Sequence, residues 1–102
     1  MAIIVHAALA STVEGIDALR EAIAVMESKS RAEAGCLDYS FSTELNDPTV
    51  IRIAERWADL DALAAHFKEP HMAEFQAAMA KHPPVDVRIN FFEASEIESP
   101  LR

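Results

Sequence analysis

Cysteine and glycine are nearly absent: 102 residues contain one Cys, at position 36, and two Gly, at 15 and 35. Lys and Arg are also few, nine against seventeen Asp and Glu. A lone cysteine cannot form an internal disulfide, so the fold stands on packing, and a reducing, cytoplasmic setting is expected. Two isolated glycines exclude a phosphate-cradling loop, a dinucleotide fingerprint and a G-x-S-x-G elbow, which leaves flavin and nicotinamide without a visible home. The net charge of −8 repels phosphate backbones and anionic membrane surfaces, so neither nucleic acid nor membrane is expected as a partner. No run approaches the roughly 18–20 apolar residues of a membrane span. The opening MAIIVHAALAST lacks the basic residues of a secretory signal. What is present is apolar: 51% of residues are hydrophobic, enough for a real core in a chain of single-domain length. No internal repeat or low-complexity segment occurs.

Ala2 to Ala10 has two apolar faces, Ile3, Val5, Ala7 and Leu9 on one and Ile4, His6 and Ala8 on the other, which predicts a strand buried on both sides. Ser11 and Thr12 offer N-cap oxygens, and Val13, Ile16, Leu19, Ile23 and Met26 then recur at intervals of three and four, predicting an amphipathic helix ending near Ala34. Gly35 falls where a left-handed residue closes a helix. From Cys36 the period becomes two, with Leu37, Tyr39 and Phe41 on the inner side. A turn at Asn46, Asp47 and Pro48 leads into a second strand whose inner face carries Ile51, Ile53, Glu55 and Trp57. Asp59 caps a helical stretch interrupted by Pro70, and Val85, Val87, Ile89 and Phe91 alternate as a last strand. The order βαββαβ is the split βαβ arrangement of the ferredoxin-like α+β fold: a four-stranded antiparallel sheet with helices on one face. The domain is expected over residues 1–95, followed by a polar tail, 96–102. Helices cover only one face, so the other is expected to expose an apolar patch, which pairing of two sheets in a homodimer would bury.

Few polar groups lie within this frame. Glu55 sits on an apolar strand face, where a carboxylate needs a cation, a donor or water; a cross-strand ion pair is the plain alternative to a functional role. Trp57 and Tyr39 are core fillers or pocket walls. His66 and His71 bracket the helix break, and each is a candidate base near neutral pH or a satisfied structural imidazole. Their five-residue spacing with Pro70 between them is not the i, i+4 pair of a helical zinc site, so no metal is expected. His6 on the first strand is a further candidate, Cys36 reads as a small buried residue, and His82 as solvated surface.

The segments Arg31–Tyr39, Asp47-Pro48, Glu55–Asp59, Ala62–His66 and Pro70-His71, in this order and spacing, resemble the successive motifs of the antibiotic biosynthesis monooxygenase family over nearly the whole chain. The resemblance implies a dimeric α+β barrel with a pocket in each protomer between sheet and helices. It also implies oxidation of a small aromatic phenol or quinol by molecular oxygen without metal, flavin or other cofactor. On that reading His66 or His71 is the base, Glu55 orients it or a substrate hydroxyl, Tyr39 and Asn90 donate hydrogen bonds, and Trp57, Phe67 and Phe75 form apolar walls, with His6 also at the substrate. Haem-degrading relatives rely on Asn, Trp and His where this chain has His6, His66 and Gln76, which argues against haem degradation. An isomerase of a small hydroxycarbonyl compound and a non-catalytic ligand-binding dimer are the alternatives; turnover without oxygen and binding without product distinguish them.

Overall fold

In the computed structural model, which describes residues 1–101, the chain runs β1 (Ala2–Ala10), α1 (Val13–Arg31), β2 (Cys36–Thr43), β3 (Val50–Trp57), α2 (Leu60–His66), α3 (Pro70–Lys81) and β4 (Asp86–Ala94). The strands form one antiparallel sheet in the order β2-β3-β1-β4. This is the ferredoxin-like α+β fold, with the second helical stretch divided in two. Strand β1 is central, but only its inner face is buried: Ile4 and Ala8 are half-buried and His6 is exposed on the uncovered side, against the two-sided burial expected from its apolar pattern.

The helices cover the face carrying Ile3, Val5, Ala7 and Leu9, which are buried with Ile16, Leu19 and Met26 of α1, Leu63 of α2 and Phe75 of α3. On the other face, register places Ala54 and Asn90 beside His6, and Arg52 and Arg88 beside Ala8. Arg56 and Phe92 flank Ile4 there. The bare face is therefore a mixture of apolar side chains and arginines, not the continuous apolar patch expected from β1 alone. The larger apolar exposure lies on the helix side of β4. Val87, Ile89 and Phe91 share the inner face with Leu9, Ala7 and Val5 by register, yet each remains about half exposed because the helices stop short of that edge. The Phe67 ring reaches across, with its centroid 6.4 Å from that of Phe91.

Local chemistry sets the joints. Thr12 caps α1 by accepting from the Gly15 amide at 3.0 Å, and Asp59 caps α2 by accepting from the Ala62 amide at 2.9 Å. Helix α1 ends at Arg31, three residues before the expected Ala34, and Glu33 occupies the turn that follows. A bulge between Cys36 and Asp38 turns Cys36 toward the core and leaves Leu37 exposed, against the simple alternation that placed Leu37 inside. Pro70 opens α3 as its first residue, where its missing N–H costs nothing, so the interruption separates two helices and is not a kink within one.

Gly35 is required twice over. Its φ is +82°, and a Cβ there would lie 2.6 Å from the Cβ of Ala62 at the start of α2. Gly35→Ala is expected to lower stability by about 1–3 kcal/mol through combined backbone strain and overpacking. Urea unfolding followed by Trp57 fluorescence measures this, and an unchanged midpoint would contradict it.

Candidate functional site

Between the inner sheet face and the helices lies a cavity of about 230 Å³. Its walls are Val5, Ala7 and Ile53 from the sheet, Met26 from α1, Phe75 and Met79 from α3, and the half-exposed side chains of β4 at its mouth. Strand alternation puts two polar side chains, Tyr39 of β2 and Glu55 of β3, into this apolar lining, and they are paired in register. Glu55 accepts a hydrogen bond from the Trp57 indole at 2.9 Å. Residues two apart share a strand face, so the indole donor and the carboxylate are neighbours by construction. Burial pushes the Glu55 carboxyl above the usual carboxylate range; the indole N–H and nearby His66 oppose this, and Glu33 adds to it. Burial, reinforced by the Glu55 charge, likewise pushes the Tyr39 phenol up, so it stays protonated as a donor.

Next to this wall, His66 at the end of α2 has no exposed surface and packs between aromatic rings, 4.6 Å from the Trp57 centroid and 5.5 Å from that of Tyr39. Its Nδ1 lies 2.6 Å from Glu33 Oε2, and Nε2 of His71 lies 2.7 Å from the same oxygen. In an unbroken helix, positions five apart point roughly 140° away from each other. The break before Pro70 starts a second axis and lets both rings converge on one carboxylate. Burial with shared contacts distinguishes this cluster from surface ion pairs: the Glu33 side chain is only 9% exposed. The buried Nε2 of His66 has no hydrogen-bond partner.

Glu33, His66 and His71 also offer three ligand atoms within 4.8 Å of one another. The spacing argument that set the two histidines aside as metal ligands is therefore corrected by the helix break. The contacts themselves are those of N–H···O bonds. Tetrahedral ligands at about 2.0–2.1 Å from a zinc ion stand about 3.3 Å apart, so the 2.6 and 2.7 Å contacts to Glu33 have hydrogen-bond spacing.

Of the residues expected at the site, Tyr39, Glu55, Phe67 and Phe75 line the cavity, and Trp57 and His66 form the layer beside Tyr39 and Glu55. His71 lies at the outer end of the cluster, beside a surface depression bordered by Lys29 and Glu69. His6 and Asn90 are not brought to this site. They face each other on the bare side of the sheet, because they share the parity of Ile4 and not that of Val5. Sequence reasoning assigned no role to Glu33. The available signal was a carboxylate just past a helix C-terminus, where the helix dipole disfavours negative charge unless donors meet it. Gln76 and the methionines 26, 72 and 79 also border the cavity without having been singled out as walls.

A sequence profile of the antibiotic biosynthesis monooxygenase family matches residues 2–78. Among solved structures, a Deinococcus radiodurans protein described as a candidate antibiotic biosynthesis monooxygenase is similar, with 28% identity, a TM-score of 0.88 and coverage of 98% of this chain and 99% of its own. Rv0793 from Mycobacterium tuberculosis is similar at 22% identity and TM-score 0.84, over 97% of this chain and 100% of its own. A conserved protein from Methanosarcina mazei is similar at 23% identity and TM-score 0.86, over 93% and 94%. The last two likenesses establish the fold alone. No curated protein matches the chain. No helix among the described residues is long and apolar enough to cross a membrane.

The raised Glu55 has a consequence for stability. The folded protein holds this proton more tightly than the unfolded chain does. Its contribution to folding is therefore fully present below the ordinary carboxylate range and is lost as pH rises through the elevated folded value. Glu55→Gln keeps an acceptor for the indole and removes the buried charge, so it is expected to raise the urea midpoint at neutral pH, with the gain disappearing below about pH 4. A gain that is the same at both pH values would show that charge burial is not its source.

Proposed function

Because the chain belongs to the antibiotic biosynthesis monooxygenase family, and because its cavity is apolar apart from a few proton-exchanging groups, we propose that it oxidises a small phenol or quinol with molecular oxygen and without metal or flavin. The observation that carries this reading is the buried, unpartnered Nε2 of His66, packed against Trp57 beside the cavity wall that holds Glu55.

The chemistry asks little of the protein. An ionised phenol can give an electron to oxygen directly, and recombination of the resulting pair forms a ring C–O bond as a hydroperoxide. Loss of the proton on that carbon and cleavage of the O–O bond then give a carbonyl and water. Phenol plus oxygen becomes quinone plus water, with all four electrons supplied by the substrate. The tasks left to the side chains are to take the hydroxyl proton, hold the anion and exclude water. His66 is the base, Glu55 orients the hydroxyl, Tyr39 donates to the developing anion, and Phe67, Phe75 and the side chains of β4 hold the ring. His71 is engaged with Glu33 and supports His66 from outside. His6 and Asn90, on the opposite face, take no part in this reading.

The working unit is proposed to be a homodimer joined through the bare sheet faces, where Ile4, Ala8 and Phe92 would be covered; light scattering on the purified chain reads this as twice the protomer mass. Oxygen uptake across a panel of quinols and polycyclic phenols, with chelator present and no flavin added, tests the activity. His66→Ala is expected to lower turnover by about 10²–10⁴-fold. Undiminished turnover in that variant would sink the assignment of the base. Turnover that persists without oxygen would point to an isomerase, and binding without product to a ligand carrier.

A further inference from the structure

Two imidazoles meeting on one carboxylate oxygen restrict where protons can sit. An ionised carboxylate only accepts hydrogen bonds, whereas a neutral imidazole donates from one nitrogen and accepts at the other. Glu33 Oε2 lies 2.6 Å from His66 Nδ1 and 2.7 Å from His71 Nε2, so two ring N–H groups converging on one ionised oxygen satisfy both contacts at once. A proton on that oxygen would reverse one of the two bonds, the oxygen then donating to one ring and accepting from the other, so the doubly accepting arrangement belongs to the ionised carboxylate. With Glu33 ionised, a neutral His66 meets it by carrying its proton on Nδ1, which leaves the buried Nε2 with a bare lone pair. That assignment also accounts for the lack of a partner at Nε2: what is left waiting is an acceptor, in a layer otherwise made of Trp57, Tyr39 and Phe67 rings.

We propose that Glu33 is the positioning residue of the site, holding His66 in the Nδ1–H tautomer so that Nε2 is kept as a proton acceptor, one that a hydroxyl-bearing ligand reaches only when the Tyr39 and Trp57 rings packed on it part. The inference deepens the functional reading above and rests on it for the role of His66. His71 donates to the same oxygen and so restrains the Glu33 carboxylate, which comes from the turn after α1 and would otherwise be free to rotate away from α2. The ligand class follows: a donor hydroxyl completes Nε2, whereas an ether or ketone oxygen at that place would set two lone pairs against each other.

The test is nitrogen NMR of the full chain labelled with ¹⁵N-histidine, treated with chelator and recorded near pH 8, where ordinary imidazoles are neutral. His66 is assigned by the signals lost in His66→Gln. The expected wild-type spectrum has a protonated Nδ1 and an unprotonated Nε2 at His66. Glu33→Ala, checked for fold by circular dichroism, is expected to lose the Nδ1–H signal and shift His66 toward the other tautomer, while Glu33→Asp retains it at least in part. A wild-type His66 protonated at Nε2 alone overturns the proposal, as does a folded Glu33→Ala protein whose His66 signals are unchanged. If the variant does not fold, the wild-type spectrum still decides. The outcome is separable from that of the oxygenase reading. The expected tautomer in a chain that oxidises nothing keeps Glu33 in its role and ends that reading, whereas the opposite tautomer in an active enzyme does the reverse.

Discussion

One carboxylate oxygen organises the site. Glu33 Oε2 ties the turn after α1 to the last residue of α2 and the second residue of α3, three pieces of chain that share no backbone hydrogen-bond ladder. Without it, two buried imidazoles with ring centroids 6.0 Å apart would have no acceptor between them, and a buried donor left unpaired costs about 1–3 kcal/mol. The helix break at Pro70 and the left-handed turn at Gly35 both serve this meeting. The first turns His71 back toward His66. The second lets β2 begin close enough to α2 that Ala62 packs on the glycine itself.

The cavity beside this cluster shows how an apolar fold accommodates charge. Glu55 is held by an indole N–H two residues along its own strand, with an imidazole within electrostatic reach. Tyr39 keeps its proton because burial leaves a phenolate without solvent, and the Glu55 charge beside it adds to that cost. Carboxylate, phenol and imidazole thus occupy one region with distinct preferences for the proton, arranged by strand parity and one helix end.

Much of this could be read from periodicity. Alternation placed Ile51, Ile53, Glu55 and Trp57 on one face, and the structure has them there, because a strand flanked on both sides cannot shift its register without turning every side chain over. The same parity set His6 apart from Val5, and so from the cavity, and the structure puts Asn90 beside it on that outer face; naming the two as substrate contacts followed their chemistry and not their face. Leu37 escaped alternation because a bulge adds a residue that no local pattern announces. Glu33 was harder still. It lies in a turn without periodicity, and its role depends on partners 33 and 38 residues further along, a distance that local reasoning does not span.

The helices leave the β4 edge of the sheet uncovered, so the hollow opens sideways along a rail of Val87, Ile89 and Phe91. The flat aromatic guest of the proposed function, entering there, would lose its hydration on side chains that are already half wet. On the proposed reading, exchange would be governed by how well a molecule partitions from water onto that oily sill, which would make lipophilicity a stronger determinant of uptake than size.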